Sequence, residues 1–120
     1  MSEKEKYLSD NGFNFEQALS YLGDMETFDE ILQDFYDAMD SQMKEIEKCK
    51  ELKDMKNYSI LVHALKSNCR SLGIIPFADV AYQHELAGKE ENIDFVLNNY
   101  NNLVEVKNKY KEIIGNYLGK

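Results

Sequence analysis

His63 is the residue of this chain whose type and setting could carry chemistry, and it lies in the run His63-Ala64-Leu65-Lys66-Ser67-Asn68-Cys69-Arg70-Ser71-Leu72-Gly73. On a helix, Tyr58, Val62, Leu65, Cys69 and Leu72 recur every three or four positions and define a buried face, whereas His63, Lys66, Ser67 and Arg70 fall on another. A neutral imidazole nitrogen on such a polar stripe is nucleophilic near neutral pH and can hold a phosphoryl group without leaving water. The surrounding sequence suits an anion. None of the 22 acidic residues falls between Asp54 and Asp79, and Lys56, Lys66 and Arg70 lie inside that window. A pair of unit charges ~4 Å apart attracts by about 1 kcal/mol in water and about 4 kcal/mol at an effective dielectric near 20, enough to bias a transfer but not to drive one. By spacing alone, an ordinary exposed histidine among solvating cations is the favoured reading.

The elements that must position this histidine all show the helical period. Asn14 can cap a short helix through Leu22, with Phe15, Leu19 and Leu22 facing inward, and Gly23-Asp24 then punctuates the chain. A long helix should follow from about Met25 to near Lys50, because Phe28, Ile31, Leu32, Phe35, Met39, Met43, Ile46 and Cys49 form a continuous apolar stripe. Its start is open by a turn, since Thr27 and Glu30 have capping-box spacing and Asp24 is an equally good cap. Asp54 is the natural cap of the helix that carries His63, and Gly73 the natural left-handed residue that ends it.

Pro76 then opens a third long helix in which Phe77, Val80, Ala81, His84 and Ala87 share a face, and Gly88-Lys89 marks its decline. Asn92 can cap the last helix, whose stripe of Ile93, Val96, Leu97, Tyr100, Leu103, Tyr110, Ile113, Ile114 and Tyr117 runs almost to the C-terminus. The expected fold is all-α: an antiparallel four-helix bundle with a short additional N-terminal helix. Residues 1–120 read as a single domain with its core at about 13–118 and a flexible segment at 1–12.

A chain of 120 residues can bury one core but has no room for a separate nucleotide-binding catalytic domain, so any phosphoryl donor must come from elsewhere. The net charge of −8 opposes non-specific nucleic-acid binding, which needs a positive field. No apolar stretch approaches the roughly 18 residues that span a bilayer, and Ser2-Glu3-Lys4-Glu5-Lys6 does not resemble a signal peptide. Cys49 and Cys69 lack metal-ligand spacing and read as reduced thiols of a cytoplasmic protein.

The run His63-Ala64-Leu65-Lys66-Ser67 through Leu72-Gly73 resembles the signature of histidine-containing phosphotransfer (HPt) domains, in which histidine is followed by x-Leu-Lys-Gly and later by a hydrophobic residue and glycine. Ser67 stands where that family has glycine and keeps the side chain small. The resemblance extends from about Phe13 to Leu118: Leu22-Gly23-Asp24 is similar to the opening of the family's second helix, and Asp54-Met55-Lys56-Asn57-Tyr58 to its approach to the histidine. Phe77 through Ala87 is similar to its following helix, with an Ala-x-x-Leu-Glu-x-Ala pattern in which His84 takes the leucine position.

What the resemblance implies is a phosphorelay intermediate of two-component signalling, without ATP-dependent kinase activity of its own. His63 would be the phosphoacceptor, taking a phosphoryl group from the aspartate of one receiver domain and passing it to another. Lys66 would stabilise charge and Ser67 would leave clearance, while Arg70 is a weaker assignment because the family varies there. The implied partners are response-regulator receiver domains and a hybrid sensor histidine kinase, with Mg²⁺ held by the receiver and no cofactor on this chain, expected to be a monomer. Ile60, three residues before His63, is assigned to a receiver-docking patch from helical spacing.

Other signals point elsewhere. His84-Glu85-Leu86 looks like part of a sensor-kinase phosphorylation box or a zincin motif, but Ala87-Gly88-Lys89 follows and the chain has two histidines in all. His84 lies on the apolar stripe, where a packed, hydrogen-bonded core histidine is expected. Cys69, six residues from His63, points to a different face. Tyr100, Tyr110 and Tyr117 are expected to be core residues with hydroxyls near the surface. A phosphorylation-independent adaptor that binds a receiver domain is the alternative function. A general-base role for His63 lacks an apparent acidic partner nearby in sequence.

Overall fold

Side-chain caps set where most of the helices begin. In the computed structural model, which describes residues 1–120, Ser2 caps α1 (Glu3–Asp10), Asn14 caps α2 (Phe15–Leu22), Asp24 caps α3 (Met25–Glu51) and Asp54 caps α4 (Met55–Ser71). α5 (Ile75–Lys89) has no side-chain cap and carries Pro76 in its first turn, where a missing N–H leaves no intrahelical bond unmade. Asn92 caps α6 (Ile93–Leu118). At α3 the choice is settled by Asp24 Oδ1, which accepts the Thr27 amide at 2.8 Å. The chain is therefore all-helical, with no strand beyond one isolated bridge between Phe13 and Ile74.

The apolar stripes meet in one core. α4 and α5 run in opposite directions, with Ser59 against Gly88, His63 against Glu85 and Arg70 against Tyr82. α3 and α6 do the same, with Asp29 bonded to Tyr117, Asp40 paired to Lys107 and Lys111, and Lys50 over Tyr100. Contacts of α3 with α4 and of α5 with α6 close the ring. Phe28, Leu32, Tyr58, Phe77, Leu103 and Ile114 are among the fully buried side chains at its centre. Ile31 and Leu97, expected on the buried stripes, lie at their edges and are exposed. No helix is long and apolar enough to cross a membrane.

One expectation is corrected. Residues 1–12 are not a flexible segment: Ser2 and Glu5 form a capping box, and Leu8 is fully buried. The Tyr110 hydroxyl donates to the Asn11 carbonyl at 2.8 Å, Asn116 Nδ2 donates to the Tyr7 hydroxyl at 3.1 Å, and the Lys4 ammonium sits over the Tyr117 ring. An isolated eight-residue helix is marginal in water, so α1 owes its order to docking on α6, which its charged composition conceals. α5 ends at Lys89, as Gly88-Lys89 implied, and Gly88 has a second role. It lies inside α5, where an added Cβ would come 2.9 Å from Ser59 Cβ, so the glycine permits the close α4–α5 crossing.

The turn joining these two helices is clamped from outside. The Asn14 amide donates to the Gly73 carbonyl at 2.8 Å and the Ile75 amide to the Gly12 carbonyl at 3.4 Å. Gly73 has φ +72°, and a Cβ there would meet the Asn14 carbonyl oxygen at 2.3 Å, so this position ends α4 and also admits the N-terminal segment. Leu8→Ala is expected to cost about 2–5 kcal/mol in urea unfolding, as for a core leucine. A residue in a loose tail would change stability by no more than about 0.5 kcal/mol.

Candidate functional site

α4 presents His63 with 55% of its side chain exposed, at the edge facing α5. Its Nδ1 lies 2.9 Å from Oε2 of Glu85, a carboxylate whose side chain is only 1% exposed. The same oxygen pairs with Lys89 Nζ at 2.7 Å, and Oε1 meets Lys66 Nζ at 2.5 Å. Both lysines meet the carboxylate as ion pairs, one on each oxygen. Burial by itself would raise the Glu85 carboxyl, but the contacts from Lys66, Lys89 and His63 outweigh it and bring the pKa down to about 2.

An ionised carboxylate can only accept hydrogen bonds, so the proton between the two groups belongs to His63 Nδ1. The lone pair of the neutral ring is then on Nε2, which has no protein partner. The site thus contains an oriented nucleophile on an accessible surface, backed by a fixed negative charge.

Lys66 departs from its expected place. Instead of lying open on the polar stripe, its side chain is 9% exposed. The position borders both faces of α4, so the aliphatic stem follows the interface while the ammonium reaches Glu85. It also lies 5.2 Å from the centre of the Tyr82 ring, and the Arg70 guanidinium lies 5.5 Å from the same ring. Ser67 is exposed beside His63, and Ile60, one turn earlier, is 56% exposed. Tyr82 and Leu86, a turn apart on α5, are further large apolar side chains left in contact with water.

Glu85 is the residue that sequence reasoning passed over. It was attached to the histidine next to it, whereas its partner is 22 positions away on α4. The signal was present in two forms: the acid of the Ala-x-x-Leu-Glu-x-Ala pattern, and a lone carboxylate among Ala81, His84, Ala87 and Gly88, all of them buried. A charge in such a run needs cationic partners from a neighbouring element.

The remaining candidates fall outside the site. His84 is buried, with Nδ1 2.8 Å from the Tyr58 hydroxyl and its ring edge-on to Phe95. Burial lowers its pKa, and Nε2 faces the Asn99 backbone without completing a hydrogen bond. Cys69 is buried and its thiol is pushed up by burial, while Cys49 is half-buried; both are free. Tyr100, Tyr110 and Tyr117 are core residues, and the last two use their hydroxyls to bond Asn11 and Asp29. No three His, Cys, Asp or Glu side chains converge as metal ligands. No model of a known protein family matches the chain, and neither a curated protein nor a solved structure is significantly similar to it.

Because the folded His84 resists protonation, the unfolded chain takes up that proton first. The stability this contributes is present above the unfolded value of about 6.5 and is lost as pH falls below it, by at most about 1.4 kcal/mol per pH unit. His84→Leu should remove this part of the slope between pH 7.5 and 5.5 in urea unfolding, while losing about 1–3 kcal/mol at pH 7.5 from the stranded Tyr58 hydroxyl. The contribution of Glu85 lies lower. It is present above about 4.5 and is lost as pH falls towards about 2.

Proposed function

We propose that the protein is a phosphoryl carrier of a His–Asp phosphorelay, an antiparallel four-helix bundle of the HPt kind acting in the cytoplasm. The observation that carries this reading is the exposed imidazole whose Nδ1 is held 2.9 Å from a buried, ionised carboxylate. That arrangement directs the Nδ1 proton at Glu85, so the lone pair of the neutral ring lies outward on Nε2, as an acceptor of phosphoryl groups requires. The partners are response-regulator receiver domains and a hybrid sensor histidine kinase.

In the transfer step, the Nε2 lone pair attacks the phosphorus of a receiver's aspartyl phosphate in line. The N–P bond forms as the P–O bond to aspartate breaks, and the electron pair of that bond leaves on the receiver's carboxylate. His63 keeps its Nδ1 proton, so the ring becomes positively charged next to Glu85, which offsets that charge. The reverse step delivers the group to a second receiver. Mg²⁺ and further neutralising charge come from the receiver, and this chain supplies position and tautomer.

Each neighbour then has a definite part. Lys66 acts through Glu85, holding the carboxylate that holds the ring. Ser67, small and exposed, leaves room for a receiver to approach Nε2. Ile60, with Tyr82 and Leu86, offers apolar surface for that approach. The same surface would serve a phosphorylation-independent adaptor.

Incubation with a phosphorylated receiver and Mg²⁺ should give an acid-labile, alkali-stable adduct that His63→Gln abolishes. Glu85→Gln keeps an acceptor for Nδ1 but removes the charge, and should slow transfer roughly ten- to a hundredfold, equivalent to about 1.4–2.8 kcal/mol in the barrier. If wild type and His63→Gln bind the receiver equally and neither takes up phosphate, the carrier reading fails and the adaptor takes its place.

A further inference from the structure

We infer that Tyr82 is a positioning residue of the His63 site, holding Lys66 against Glu85 and presenting Arg70 as an unpaired cation on the histidine's face. The inference rests on the phosphoryl-carrier reading and adds a residue that reading does not use. Tyr82 sits on α5 opposite two α4 cations one turn apart, with Lys66 Nζ 5.2 Å and Arg70 Cζ 5.5 Å from its ring centre. Both lie within the range of cation–π attraction, and Tyr82 as a residue is 41% exposed.

The two cations differ in what else they touch. Lys66 is almost buried and its charge is committed to Glu85. The Tyr82 ring is part of what covers it, and keeping water from this ion pair preserves its strength, since a hydrated pair at the same distance is worth several times less. Arg70 has no carboxylate partner and contacts the ring instead. Helical side chains lean towards the N-terminus of their own helix, so an Arg70 anchored on Tyr82 lies over the turn that leads back to His63. Without the ring, its long side chain would be free to sample solvent.

The consequence is a division of labour. Lys66 and Lys89 neutralise Glu85, and Glu85 sets the His63 tautomer. Arg70 remains uncompensated on that face beside the ring, available to an incoming phosphoryl group or to the acidic surface that brings it. Tyr82 couples the two halves because one ring contacts both cations.

The test compares Tyr82→Phe, which keeps the ring, with Tyr82→Leu, which keeps apolar bulk without it. Phosphoramidate serves as a small phosphoryl donor, so no receiver is needed, and the nitrogen-15 resonances of His63 report its tautomer and titration midpoint. Y82F should stay within about twofold of wild type in phosphorylation rate and keep the His63 titration, whereas Y82L should be slower by about fivefold or more and shift that titration. R70Q should slow phosphorylation and leave the His63 titration in place. A folded Y82L that matches Y82F in both rate and titration overturns the inference, as does an R70Q rate equal to wild type. If wild type itself takes up no phosphate, the carrier reading fails separately, and equal His63 titrations in Y82L and Y82F then overturn the positioning role as well.

Discussion

A carboxylate buried between two helices must be matched by positive charge or it will not stay ionised, and this requirement on Glu85 organises the face that carries His63. Lys66 approaches from α4 and Lys89 from the next turn of α5, and each contacts one oxygen. His63 completes the set through Nδ1. Neutralisation is therefore coupled to orientation: the group that makes the interface electrostatically tolerable also fixes which imidazole nitrogen faces outward. Removal of either cation would leave part of a buried charge uncompensated, so the histidine's tautomer is tied to the stability of the α4–α5 interface.

That interface is possible only because the two helices approach closely. Gly88 allows its backbone to lie against Ser59, and the register this creates brings Glu85 opposite His63 and Tyr82 opposite Lys66 and Arg70. At the other end, the turn at Gly73 is bonded to residues 12 and 14, so the N-terminal segment braces the pair of helices that hold the site. α1 and the linker after it are thus joined through packing and backbone hydrogen bonds to the elements that carry His63 and Glu85. In an acidic protein with a net charge of −8, one acid is thus folded inward against the cations of this face, where it compensates Lys66 and Lys89.

Much of the architecture was legible in the chain. The caps Asn14, Asp24, Asp54 and Asn92, the stop at Gly73 and the restart at Pro76 are local signals, each depending on a few adjacent residues, and each helix they delimit is present. The apolar period identified Tyr58, Val62, Leu65, Cys69 and Leu72 as one buried face, and it assigned His84 to the core and His63 to the surface. The edges of those stripes were less legible. Ile31 and Leu97 satisfy the period but lie at the rim of the core and stay partly exposed, and α1 was hidden because its one fully buried residue, Leu8, sits among charges.

By itself the sequence determined which residues could be helical, where the helices stop and that His63 faces away from the core, because these follow from interactions within a turn or two of chain. Only the tertiary structure decided that Lys66 is buried, that Gly88 serves a helix crossing, and that Glu85 is the partner of His63. Each of those outcomes depends on the register between α4 and α5, which no local period specifies. Electrostatics then acts across that register, and a charge placed by packing can be recognised only once the opposing element is in view.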